Sequence, residues 1–128
     1  MQDEPTPAEI LETVAQFLRE TVMPEMQGRN AFLARVTANA LDVVRRQIEL
    51  SPAADAAELA RLRALLDSDG TLETLNAQLC ERIETGAITL TTQGLKDHLW
   101  ETTLAKLAVD QPNYAAYKRV HDQTPQKT

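Results

Sequence analysis

Residues 7–23 read PAEILETVAQFLRETVM, the clearest amphipathic segment of the chain. Thr6 supplies a side-chain oxygen for the first free amides, and Pro7 suits the first helical position. Glu9 stands three residues after Thr6, the spacing of a capping box. Ile10, Leu11, Val14, Phe17, Leu18 and Val22 recur at helical spacing on one face. Glu9, Glu12, Gln16, Arg19 and Glu20 occupy the other. The segment is an amphipathic helix, and Pro24 ends it.

Outward from this helix the same pattern repeats between prolines and glycines. A second helix is expected over residues 29–50, with Phe32, Leu33, Val36, Ala40, Val43 and Val44 as its apolar stripe. Ser51-Pro52 reads as a break, so a third helix is expected from Pro52 or Ala56, bearing Leu59, Leu62, Leu65 and Leu66. The run Asp67-Ser68-Asp69-Gly70 is a turn, and Thr71 caps a fourth helix carrying Leu72, Leu75, Leu79 and Ile83. Gly86 suits the position just past its end. Residues 87–91 alternate apolar and polar, and with no partner strand they are expected as an extended strap. A fifth helix is expected over residues 92–109, stopped by Pro112. The expectation is therefore an all-α fold: a compact bundle of about five helices with short connections and no sheet. One domain would cover residues 1–112, and residues 113–128 would form a polar, partly disordered tail. Aromatics make up only 4% of the chain, so Leu, Ile, Val and Ala must fill most of the core. Its expected members include Phe17, Phe32, Val36, Leu75, Leu79, Leu99 and Trp100.

Composition narrows the function. The formal charge of -6 lacks the electrostatic attraction that drives nucleic-acid binding. A lone cysteine, Cys80, excludes an internal disulfide and any multi-cysteine metal site, and its place beside Leu79 is that of a buried inert thiol. The acidic start Met1-Gln2-Asp3-Glu4-Pro5 is not a signal peptide. No apolar run approaches the ~20 residues a membrane span needs. The expected location is the bacterial cytoplasm. Phosphate-binding glycine loops, HExxH and GxSxG are all missing. His98 and His121 are far apart and read as surface histidines. No catalytic residue, metal site or cofactor is expected.

Some polar residues border apolar rows and are candidate ligand contacts. Arg35 and Asn39 lie one turn apart on the second helix, with Asn39 beside the stripe, where it would find a buried hydrogen bond. On the last long helix Leu99, Thr103 and Lys106 share a row that passes from apolar to polar, a pattern able to meet an anion or an acyl group. Tyr114 and Tyr117 bring amphipathic rings to the tail and are candidate partner contacts.

The elements PxxxILxxVxxFL (7–18), FLARVxANAL (32–41), AADAAELARLRALL (53–66) and TTLAKLAVDQPNY (102–114) together resemble a family of short bacterial proteins known only as a domain of unknown function. The resemblance runs from about Gln2 to Tyr117. It implies genes beside aminoglycoside-phosphotransferase-like kinases and acyl-CoA dehydrogenases, and hence an accessory role in acyl-CoA catabolism. It carries no catalytic residues over to this chain. The expected function is a non-catalytic interaction protein with a kinase-like or dehydrogenase-like partner. The alternative is a helical protein that binds an acyl group or acyl-CoA.

Overall fold

Thr6 begins the first helix as its spacing predicts. In the computed structural model, which describes residues 4–123, Thr6 Oγ1 accepts from the Glu9 amide at 3.3 Å, and the Thr6 amide donates to Glu9 Oε2 at 2.7 Å. Both halves of the box are present. Helix α1 runs Pro7–Phe17 and passes into a widened π-type turn over Leu18–Val22, where the Met23 amide reaches back to the Leu18 carbonyl. Pro24 falls in a short 3-10 turn, Met23–Glu25.

Helix α2 spans Gly28–Leu66, with Pro52 inside it. The expected break at Ser51-Pro52 is absent, and the second and third expected helices are one. Proline removes one backbone donor and crowds the preceding turn. The residues after it, Ala53, Ala54, Ala56, Ala57 and Leu59, are strong helix formers that carry the helix on. Helix α3 follows over Leu72–Glu84, α4 over Leu95–Asp110, and α5 over Ala115–Gln123. The fold is all-α, with five helices, short connections and no strand among the described residues.

The chain divides into two units, Met1–Leu50 and Ser51–Thr128, and the division falls just before Pro52. In the first unit the buried side chains are small: Ala15 of α1, and Ala34 and Ala38 of α2. An alanine seam lets two helices approach closely but encloses little apolar volume. Arg19 ties the pair, donating to Asp42 Oδ2 at 2.6 Å and to Asn39 Oδ1 at 2.9 Å. Asn39 therefore has a partner but stands exposed, not inside a core. Phe17 is 54% and Phe32 53% exposed, and Val36 is also exposed. These three expected core residues lie on the outside, because alanines take the inner positions.

The second unit has a core of larger side chains. Leu62 and Leu66 of α2, Leu75 and Leu79 of α3, Ile88 of the connection and Leu95 of α4 form one buried cluster. The expectations for Leu75 and Leu79 hold. Leu99 and Trp100 are exposed. The chain turns sharply at the end of α2. Asp67 takes a positive φ of 47°, and the Ser68 amide reaches the Arg63 carbonyl at 3.4 Å, closing a Schellman-type stop. Arg82 of α3 donates to the Leu66 carbonyl at 3.1 Å, satisfying another free acceptor at that end.

Residues 85–94 are a chain of turns instead of an extended strap, yet Ile88 does tuck into the core. Gly94, with φ of 88°, delays α4 to Leu95. Beyond Pro112, where a fraying tail was expected, α5 forms and stacks Tyr117 on His121 with ring centroids 5.8 Å apart. Residues 124–128 of that expected tail lie outside the described residues.

Candidate interaction surfaces and a buried histidine

Helical geometry gives the first unit two unlike sides. On α1, Ile10, Val14 and Phe17 fall within about 40° of one direction, while Leu11, Ala15 and Leu18 form the row turned to α2. On α2, Leu33, Val44 and Ile48 share an arc of about 60°, next to the buried Ala34 and Ala38. A shallow groove of about 270 Å³ lies between the two helices, lined by Leu18, Val22, Met26, Asn30, Leu33, Ala34 and Thr37. It marks the side on which these apolar rows lie. The Arg19 bonds to Asn39 and Asp42 mark the other side. Arg35, also exposed, sets its guanidinium 5.6 Å from the centre of the Phe32 ring. Arg35 and Asn39 thus belong to the first unit.

Thr103 and Lys106 belong to the second. Both are exposed, and Thr103 Oγ1 donates back to the Leu99 carbonyl at 2.7 Å. Trp100 of α4 is 52% exposed, and Tyr114 is similarly open. Tyr117 is half-buried. Trp100, placed in the core by its apolar neighbours in sequence, is instead the largest apolar side chain on the exterior of this unit.

His98 is the converse case. It is 3% exposed, although a lone histidine on a helix reads as a surface residue. Its Nδ1 is buried and finds no protein partner, as does Nε of Arg61. Arg61 Nη2 reaches Thr102 Oγ1 at 3.4 Å, and Asn76 Nδ2 donates to Glu58 Oε1 at 2.8 Å. Burial holds His98 below the ordinary histidine range, the Arg61 charge lowers it further, and Glu58 opposes both. His98 is thus closed off from solvent on the inner side of α4. The helical period could have found it, since His98 lies three residues after Leu95, on the same inner row.

The thiol of Cys80 is exposed, not buried, because one residue past Leu79 is about 100° around the helix. No group of three or more His, Cys, Asp or Glu among the described residues could hold a metal ion. Among the described residues no helix is long and apolar enough to cross a membrane.

No curated protein and no solved structure matches the chain. Residues 24–114 match a family described as a domain of unknown function, DUF6285, a stretch that takes in all of α2, α3 and α4. With that share of its length matched, the chain belongs to the DUF6285 family.

Proposed function

We propose that this protein is a non-catalytic accessory protein of the bacterial cytoplasm that works by docking onto an enzyme of acyl-CoA catabolism. The partner is a phosphotransferase-like kinase or an acyl-CoA dehydrogenase, as the family resemblance implies. The observation that carries the reading is Trp100, the single tryptophan of the chain, half-exposed on α4. Tryptophan and tyrosine supply large contact area at low entropic cost and dominate the energetics of interfaces. Tyr114 and Tyr117 extend the proposed contact. The test is co-expression with each enzyme, followed by affinity capture of the wild type and of a Trp100→Ala, Tyr114→Ala double variant. Capture by the wild type that is lost in the variant supports the reading. Equal capture by both moves the contact elsewhere, and no capture of either enzyme rejects it.

The groove of the first unit favours a second reading, in which the protein holds an acyl group or its CoA ester. Its wall is mostly apolar, through Leu18, Val22, Met26 and Leu33, with Asn30 and Thr37 as polar groups. Arg35 and Asn39 of the first unit and, separately, Thr103 and Lys106 of the second are proposed polar ligand contacts, none of which lines the groove. Titration with an acyl-CoA, followed by calorimetry, tests it. Binding that survives Leu33→Asp would exclude the groove.

A further inference from the structure

Helix α4 is lightly seated. Its buried side chains are Leu95 and His98, so one of its two anchors is a titratable group. Other residues along it, among them Leu104 and Leu107, are only partly buried. Gly94 before it has a φ of 88° and gives its first amides no side-chain cap. Lys96 in the first turn and Asp110 at the end each carry the wrong sign for the helix dipole, and Asp97 alone carries the right one near the start. Turns bound the helix on both sides, over residues 85–94 and 111–114. We infer that α4 is a proton-released element: protonation of His98 unseats this helix from α2 while α2 and α3 keep their structure.

The surroundings of the imidazole supply two reasons. The first is hydrogen bonding. His98 Nδ1 is buried and finds no protein partner. A protonated imidazole carries N–H on both nitrogens. In the seated helix its Nδ1–H would be a buried donor without an acceptor, at a residue 3% exposed.

The second is charge. Arg61 of α2 reaches Thr102 Oγ1 at 3.4 Å, and Thr102 lies one turn after His98 on the same row of α4. An imidazolium would therefore stand beside a guanidinium whose own Nε is buried and without a protein partner. Glu58, three residues before Arg61 on α2, is the opposing charge, and its Oε1 already accepts from Asn76 Nδ2 of α3 at 2.8 Å. Asn76 and Thr102 carry no charge. Burial and then Arg61 disfavour the charged imidazole, and Glu58 opposes them more weakly. The seated site thus refuses a proton that an α4 turned out into solvent accepts near the ordinary 6.5. Below that pH the released state binds the extra proton, so release grows as pH falls and is suppressed above it.

This inference goes beyond the docking of an enzyme, because it concerns α4 in the chain alone. Trp100 rides on the same helix, so release would also displace the proposed docking residue. That consequence rests on the docking reading, whereas the release itself does not, and each can fail without the other. Hydrogen exchange of the full chain followed by mass spectrometry, expressed as protection relative to the free-peptide rate, reads the release directly. Between about pH 7.5 and about pH 5.5, protection over residues 95–103 should fall by up to about tenfold. Protection over residues 55–66 of α2 and over Leu72–Glu84 should stay level across the same range. His98→Leu should abolish the fall. Arg61→Gln should shrink it, and Glu58→Gln should carry it to lower pH, a pair of opposite effects that a merely structural role would not give. Level protection in α4 overturns the inference. So does an equal loss in α2 and α3, or a fall that persists in His98→Leu. If a variant fails to fold by circular dichroism, the wild-type comparison of α4 with α3 still decides.

Discussion

Arg19 and Asp42 clamp α1 to α2 on the polar side of the first unit, with Nη2 2.6 Å from Oδ2. The same nitrogen also reaches Asn39 Oδ1 at 2.9 Å, so one guanidinium serves two acceptors one turn apart. The pair is partly open to solvent, which limits its worth to about 1 kcal/mol or less. Asp42→Ala should therefore lower stability in urea by up to about 1 kcal/mol, and Asn39→Leu by less. A loss near 3 kcal/mol in either variant would mean that the site is buried.

The contrast between alanine seam and leucine core gives a sharper expectation. Leu62 has no exposed surface and sits in the cluster with Leu66 and Leu75. Leu62→Ala should cost about 2–5 kcal/mol in chemical denaturation. Phe32→Ala, at a side chain 53% exposed, should cost less than about 1 kcal/mol. The reverse order would place the core where the sequence pattern first suggests it.

That pattern was a good guide to elements and a poor one to which face is inside. The Thr6–Glu9 box, the Thr71 cap and the Gly86 stop each follow from short-range chemistry, and all three occur. Pro52 misleads because a proline costs a helix about 3 kcal/mol, an amount that a run of alanines and tertiary packing can offset. Helix α1 has two adjacent apolar rows, and periodicity cannot rank them. The row with Ala15 turns inward and the row with Phe17 outward, because small residues permit close helix approach. His98 and Cys80 exchange their expected places for the same kind of reason, a rotation of one residue around a helix.

Burial of His98 makes stability depend on pH in a defined direction. Its folded value lies below the ordinary 6.5, mainly through desolvation and then through Arg61. Below pH 6.5 the unfolded chain binds a proton that the folded chain still refuses, so stability falls as pH falls through this window. Above pH 6.5 the contribution is complete. Denaturation midpoints measured from pH 7.5 downward should decline from near pH 6.5, and His98→Gln should flatten the decline in the range just below it. An identical decline in the variant would assign the effect to carboxylates.

On the proposed function, the protein binds an enzyme through Trp100. Isothermal titration of the full chain into each purified enzyme, the phosphotransferase-like kinase and the acyl-CoA dehydrogenase, tests it most directly. Saturable binding to one of them is expected, weakened by Trp100→Ala by at least about tenfold in Kd, or roughly 1.4 kcal/mol. No heat of binding with either enzyme, together with turnover of an acyl-CoA by the protein alone, would contradict it.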